Sequence, residues 1–232
     1  MPDTFRNAIN LHAVWHSGRA RKREHSVIRS ERRGGLAVLT IDRQDKANSL
    51  TETMLRDLTA ALDQIAAGDS GAVILTGAGT VFSAGADLAE AKAGLAKSPE
   101  WERLSARVAT MPCLTVAALN GTLAGGAFGM VLACDLRIAV PGARFFYPVM
   151  KLGFLPQPSD PRRMTRLVGA ARAKMILMAG QKIGAEEALD WGLIDRIAPD
   201  ATLLAEAEAL AADCLAAAPD HVTAIKAMIG QL

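Results

Sequence analysis

Two glycine-rich segments hold the residues best suited to chemistry in this chain: Phe82-Ser83-Ala84-Gly85-Ala86-Asp87-Leu88 and Asn120-Gly121-Thr122-Leu123-Ala124-Gly125-Gly126-Ala127. Each follows an apolar, β-branched run that reads as a strand, and each leads into a stretch of helical composition. The first turn of a helix leaves backbone N–H groups without an intrahelical acceptor, and the helix dipole favours negative charge there. Two such ends aimed at one point would cradle an oxyanion. Taken alone, Gly125, Gly126 and Gly129 are equally well explained by close packing at a strand-to-helix turn.

Other catalytic constellations are poorly supplied. A Ser-His-Asp hydrolase needs a central histidine, yet His12, His16 and His25 lie near the start of the chain and His221 near its end. Zinc sites lack ligand clusters. Neither glycine segment matches a P-loop or a GxGxxG opening a dinucleotide unit, so ATP and NAD are not expected. Cys113, Cys134 and Cys214 form no CxxC pair, and the first two sit in apolar surroundings that suit buried free thiols. The compartment implied is reducing and cytoplasmic.

The elements that must position the glycine segments are legible from periodicity. Leu36–Asp42 and Gly71–Thr76 read as strands flanking an amphipathic helix over Thr51–Ala67, with Ser49 or Thr51 as its cap. Thr115–Leu119 and Leu136–Ala139 repeat the strand pattern around a helix at Gly125–Ala133. After Gly169 the chain reads as mostly helical, including Ala185–Trp191 and an Ala-rich Thr202–Ala217. An α/β architecture follows. With 232 residues, 50% of them hydrophobic and 22% charged, one globular domain can bury a full core.

The net charge of +2 and the lack of a Lys/Arg stripe with interleaved aromatics argue against a nucleic-acid partner. No run approaches the roughly 18 apolar residues of a membrane span. Residues 1–34 differ in composition, with Arg6, Arg19, Arg21, Lys22, Arg23, Arg29, Arg32 and Arg33 and little periodicity. Asp3, Glu24 and Glu31 count against a transit peptide, which leaves a basic extension or an over-called start codon.

From about Gly35 to Gln231 the chain resembles the crotonase superfamily, the enoyl-CoA hydratase/isomerase family. The resemblance is carried by Asp42-Arg43-Gln44-Asp45-Lys46-Ala47-Asn48-Ser49-Leu50, Leu75-Thr76-Gly77, the two glycine segments, Cys134-Asp135-Leu136, and Ala185-Glu186-Glu187-Ala188-Leu189-Asp190-Trp191-Gly192-Leu193, in the family order. It implies a crotonase-type ββα spiral over residues 35–170 and a shortened helical C-terminal trimerisation region over residues 171–232. It also implies a homotrimer or dimer of trimers, with coenzyme A present only as part of an acyl-CoA substrate of fatty acid metabolism, and lyase or isomerase chemistry.

By position, the resemblance makes the amides of Ala86 and Gly126 the donors of an oxyanion hole for the thioester oxygen. It sets coenzyme A along Asp45, Lys46 and Ala47, with adenine near Ala84, Asp87 and Leu88 and the acyl group near Gly125 and Phe146. Phe146 stands where relatives often have a small residue, so a straight long acyl chain is expected to fit poorly. The two glutamates that hold water in family hydratases fall on Gly129 and Val149, neither of which ionises. The loop position that supplies an acid in some members falls on Gln157. Tyr147 and Asp160 are the nearest other candidates, although Ser159-Asp160-Pro161 reads more simply as a helix cap. Relatives also continue past the final helix, and this chain stops at Leu232. Three readings remain: an acyl-CoA enzyme with an unassigned proton carrier, a non-catalytic acyl-CoA-binding homologue, and, ranked last, a hydratase whose water is held by backbone.

Overall fold

The computed structural model describes residues 27–230. Near-continuous apolar runs form the inner strands of a six-stranded sheet, the pattern expected of parallel strands covered on both faces. Its order is β1 (Ile28–Arg33), β2 (Leu36–Ile41), β3 (Ala72–Gly77), β5 (Leu114–Leu119), β7 (Leu136–Ala139) and β10 (Arg196–Ile197). Only the β1–β2 pair is antiparallel. A smaller sheet has the order β4 (Val81–Ser83), β6 (Thr122–Ala124), β8 (Arg144–Phe146) and β9 (Ile183–Gly184), parallel except for the last pair.

The chain winds between these sheets with one repeated step. A strand in the large sheet is followed by a short strand in the small sheet and then by helix. β3 and β4 lead to α2 (Leu88–Lys92) and α3 (Glu100–Ala109), β5 and β6 lead to α4 (Phe128–Leu132), and β7 and β8 lead to α5 (Val149–Leu152) and α6 (Asp160–Leu177). The parallel pairing of β4 with β6, which shifts register between Val81 and Ser83 and sets Ser83 opposite Leu123, brings the two glycine segments side by side.

Helix α1 (Glu52–Ala66) begins where Thr51 Oγ1 accepts from the Met54 amide at 3.2 Å. It buries Met54, Leu55, Leu58, Leu62 and Ile65 against the large sheet and α3. Fully burying a side chain of this size is worth about 1.5–3 kcal/mol, so this stripe fixes the helix more firmly than its cap does.

Several expectations need correction. The segment taken as an extension through residue 34 contributes the edge strand β1, because Arg33 and Leu36 pair across a tight Gly34 turn (φ +58°). The earlier part of that reading, residues 1–26, lies outside the described residues. The helical C-terminal part supplies β9 and β10 as well as α7 (Ala185–Asp190), and the helix expected over Thr202–Ala217 divides at Ala211 into α8 (Leu203–Leu210) and α9 (Ala212–Ala216). The stretch Gly125–Ala133 opens with a tight 3-10 turn over Gly125–Ala127 before α4 begins. A break at Gly169 (φ +79°) kinks α6 close to the expected domain boundary.

Helix α10 (Pro219–Gly230) is tied down by Lys226, whose Nζ donates to Asp135 Oδ2 at 2.7 Å and to the Cys113 carbonyl at 2.8 Å. Asp135 also accepts from the amide and hydroxyl of Thr115, so the Cys134-Asp135-Leu136 block locks β5, β7 and α10 together. Buried Arg137 does the same between β7 and the Asp195 loop.

The turn between β2 and α1 is held by Asn48, which is buried and left-handed (φ +53°). Its Oδ1 accepts from the Arg43 amide at 2.8 Å, and its Nδ2 donates to the carbonyls of Ala78 and Val81. Asn48→Ala would strand these backbone groups, and a urea titration should register a loss of about 2–3 kcal/mol; a change below about 0.5 kcal/mol, the scale of ordinary surface substitutions, would mean that the turn is held by other contacts.

Candidate active site

The glycine segments meet backbone to backbone. A methyl group added at Gly85 (φ +89°) would lie 2.8 Å from the Ala124 carbonyl oxygen and 3.3 Å from the Gly125 Cα. Only glycine permits both that approach and that backbone conformation. The strand-like bridge between Leu50 and Ala86 then orients one amide. Leu50 donates to the Gly85 carbonyl at 2.7 Å and accepts from the Asp87 amide at 2.8 Å. In a parallel bridge the residue between those two faces the other way, so the Ala86 N–H points away from Leu50.

Ala86 and Gly126 line one cavity of about 340 Å³. Its wall is mainly apolar and includes Trp101, Phe146, Tyr147, Val149, Phe154 and Leu155, with Lys92 as its charged side chain. Gly126 is the second residue of its 3-10 turn, where an amide has no acceptor within the helix. A methyl group at Gly126 would stand 3.2 Å from the Trp101 ring, whose Nε1 donates to the Leu95 carbonyl at 2.8 Å. Trp101 thus packs against the expected donor, a role for which the sequence offered no signal beyond an aromatic in an amphipathic helix.

Of the other expected residues, Ala84, Leu88, Gly125, Phe146 and Gln157 also line the cavity. Asp45, Lys46 and Ala47 sit on an exposed turn outside its wall, joined to it where the Ala84 amide donates to the Ala47 carbonyl at 3.0 Å. The Asp87 side chain is committed elsewhere. It caps α2 by accepting from the Ala89 and Glu90 amides and pairs with Arg43 at 2.9 Å, and the Arg43 hydrogen bond holds its carboxyl below the usual carboxylate range. The Phe146 ring lies under Lys182 Nζ, 4.9 Å from the centroid. The Gln157 side chain donates to the Ala96 carbonyl at 3.2 Å.

Ser159-Asp160-Pro161 does open α6, with proline in the first turn, but the Asp160 side chain does not cap it. Asp160 is the first residue of α6, Ser159 holds the cap position without a side-chain cap bond, and the Asp160 carboxyl is turned inward at 0% exposure. What anchors this helix end is Glu102 of α3, which accepts from both the amide and hydroxyl of Ser159 at 2.9 Å. Asp160 Oδ2 accepts from the Tyr147 hydroxyl at 2.9 Å, while Oδ1 has no hydrogen-bond partner among the described residues. The Tyr147 ring stacks on Phe128 at 5.4 Å, and its oxygen receives the Gln157 amide at 3.4 Å.

Gly129 explains the room for this carboxyl. A methyl group there would lie 3.0 Å from Asp160 Oδ1 and 3.5 Å from Ser105 Cβ. Burial raises the Asp160 carboxyl to about 7; the Tyr147 hydrogen bond and Arg163 oppose that rise and Glu102 adds to it. Burial also pushes the Tyr147 phenol up, with the Asp160 charge acting in the same direction. The same effect takes the Cys134 thiol up to about 12, the mark of an inert buried cysteine. No group of three or more His, Cys, Asp or Glu able to hold a metal occurs among the described residues.

Two stability measurements follow. Gly129→Ala should cost about 1–3 kcal/mol by overpacking, and the cost should shrink in an Asp160→Ala background; strict additivity in that double-mutant cycle would show that the two sites do not touch. The second concerns pH. The folded chain keeps the Asp160 proton up to about 7, whereas the unfolded chain releases it near the ordinary value of roughly 4. Between those limits the folded state binds more protons, so this group's contribution to stability falls as pH rises. Denaturant midpoints should therefore shift in favour of Asp160→Asn, relative to wild type, on going from pH 5 to pH 8, and an equal difference at both would contradict the raised value.

Over most of its length the chain is similar to known proteins. Residues 31–231 match the family model described as enoyl-CoA hydratase/isomerase. A Rhodobacter capsulatus protein named "Probable enoyl-CoA hydratase" is 38% identical, covering 76% of this chain and 70% of its own. A 4-chlorobenzoyl coenzyme A dehalogenase-2 of Arthrobacter is 34% identical, covering 84% of this chain and 74% of its own. The crystal structure of an enoyl-CoA hydratase from Bacillus anthracis superposes with a TM-score of 0.82 at 31% identity, over 88% of this chain and 82% of that one. With its alternating strands wound between two sheets and its paired glycine segments facing one cavity, the chain has the crotonase fold and belongs to the enoyl-CoA hydratase/isomerase family.

Proposed function

We propose that this protein is an enzyme that binds an acyl-CoA thioester with the carbonyl oxygen between the Ala86 and Gly126 amides and stabilises the enolate that forms there. The observation that carries the reading is the contact of Gly85 with the Ala124–Gly125 backbone beside a single cavity lined by both donors. Each preorganised donor of this kind is worth about 2.7–4 kcal/mol in the transition state, because its dipole is fixed before charge develops. Coenzyme A would lie along Asp45, Lys46 and Ala47, with adenine near Ala84, Asp87 and Leu88.

Ordinary hydration of a 2-enoyl thioester does not fit this wall. The positions assigned to the two family glutamates hold Gly129, which has no side chain, and Val149, which is apolar and buried in the cavity wall. A relative named as a dehalogenase supports the view that this scaffold carries reactions other than hydration. The same two residues favour a second reading, a non-catalytic acyl-CoA-binding homologue. The cavity is near the small end of ligand sites, and Phe146 narrows it, so a short or compact acyl group is the expected cargo. The exposed apolar residues Met150, Leu152 and Leu155, and Ile225, Met228 and Ile229 on α10, support a homotrimer or a dimer of trimers.

Calorimetry with butyryl-CoA and with S-butyl-CoA, the thioether lacking the carbonyl, tests the oxyanion site directly. Butyryl-CoA should bind about tenfold or more tightly, since two amides lose their acceptor in the thioether. Equal affinities would remove the carbonyl cradle. Crotonyl-CoA hydration should run about 10⁴-fold or more below that of a two-glutamate relative, and comparable turnover would refute the reading of Gly129 and Val149.

A further inference from the structure

We propose that Tyr147 and Asp160 form a two-residue proton relay serving the α-carbon of the bound acyl group, with Asp160 occupying the space that Gly129 leaves open. The proposal rests on the acyl-CoA reading above and adds the proton carrier that reading lacks.

Geometry carries the argument. Asp160 is fully buried, and among the described residues the one hydrogen bond to its carboxyl comes from Tyr147. Among the described residues its Oδ1 is unpartnered, and it lies 3.0 Å from where the Cβ of a side chain at residue 129 would stand. Burying a carboxyl without a cation or a full set of donors is costly, and buried groups in purely structural roles are almost always satisfied. Arg163 acts on it only through its charge, since the guanidinium donates to Ser159 Oγ at 2.8 Å and forms no ion pair with Asp160. Tyr147 connects this carboxyl to the cavity: the tyrosine lines the wall, its ring is fixed by Phe128, and its oxygen sits beside the Gln157 amide.

The step balances without any further reagent. The Cα–H bond breaks as the Tyr147 oxygen takes the proton and the phenolic proton passes to Asp160 Oδ2. The C–H electron pair becomes the π bond between the α-carbon and the thioester carbon as the carbonyl π pair moves to oxygen, giving an enolate held by the two backbone amides. One negative charge leaves the carboxylate and one appears on the enolate. Running the step backwards delivers a proton to the α-carbon. The groups facing Asp160 are Tyr147 after β8, Glu102 on α3 and Arg163 on its own helix, with Gly129 and Ser105 contributing no charge. Because the carboxyl titrates at about 7, both of its protonation states are available near neutral pH.

The test follows α-hydrogen exchange of butyryl-CoA and phenylacetyl-CoA in D₂O by mass spectrometry, with calorimetric binding measured on the same samples. Wild-type protein should exchange one or both thioesters, with a rate that rises through pH 7 and then levels. Tyr147→Phe, which keeps the ring stack, and Asp160→Asn, which keeps the shape, should bind with unchanged affinity but exchange about 10²–10⁴-fold more slowly. Glu102→Gln should move the pH inflection downward while keeping the rate at the plateau, a change that a merely structural role for Asp160 would not produce, and it carries the test if Asp160→Asn fails to fold. Wild-type binding without exchange of either thioester, or wild-type rates in both relay variants, would overturn the relay and leave the acyl-CoA site standing. Absence of any binding by wild type would instead overturn the acyl-CoA reading, and the relay with it.

Discussion

The arrangement of the site depends on one contact: Gly85 lies so close to Ala124 and Gly125 that a methyl group would collide with their backbone. That contact is available because β4 and β6 pair in parallel, with Ser83 at the end of β4 opposite Leu123, so the two segments leave the small sheet within about one residue of each other. The Leu50 bridge then turns the Ala86 amide, and the tight turn at Gly125–Ala127 turns the Gly126 amide. A side chain at Gly85 would force the segments apart and separate the donors, however well each helix folded. The constraint is steric, and it acts on backbone atoms.

A different physics governs the rear wall. Removing the side chain at residue 129 leaves space beside α4, and the structure fills it from α6 with a carboxyl rather than with a methyl group. A valine or leucine at residue 160 would avoid the desolvation of an acid, so stability alone does not account for aspartate there. The energetic penalty is limited by keeping the group protonated below about pH 7 and by the single Tyr147 hydrogen bond. Glu102 adds to the penalty electrostatically while anchoring the start of the helix through Ser159. Gly129 and Asp160 are therefore one feature divided between two helices, which is why neither residue is interpretable without the other.

The inner strands β2, β3 and β5 were legible because they are nearly uninterrupted apolar runs, and α1 because it has a clear helical stripe. The glycine segments were legible as two adjacent helix starts because their composition changes abruptly on either side. The Asp160 carboxyl was not legible: Ser-Asp-Pro before a helix has the local signature of a cap, and only the tertiary approach of α4 and α3 reveals that the side chain turns inward. Trp101 escaped for a similar reason, since its contact with Gly126 joins residues from different turns of the spiral. The edge strand β1 was hidden because five of its six residues are exposed and charged or polar, which erases the alternation that marks a half-buried strand.

These two kinds of legibility reflect how the site divides its work. A backbone donor is not lost when its side chain changes, so the oxyanion cradle proposed here would survive substitution at Ala86 as long as the path of the chain is kept. Proton carriers are side chains, and any nearby element that reaches the cavity can supply one. A family built in this way can hold its fold and cradle constant while moving its acid or base among the surrounding helices, and its reaction is then set by residues that local motifs identify least well. In this chain the motif positions point to Gly129 and Val149, whereas the ionisable group lies one helix away, behind Tyr147. Assigning chemistry here requires asking which carboxyl occupies the space a motif residue has vacated, since close packing rarely leaves such a space unfilled.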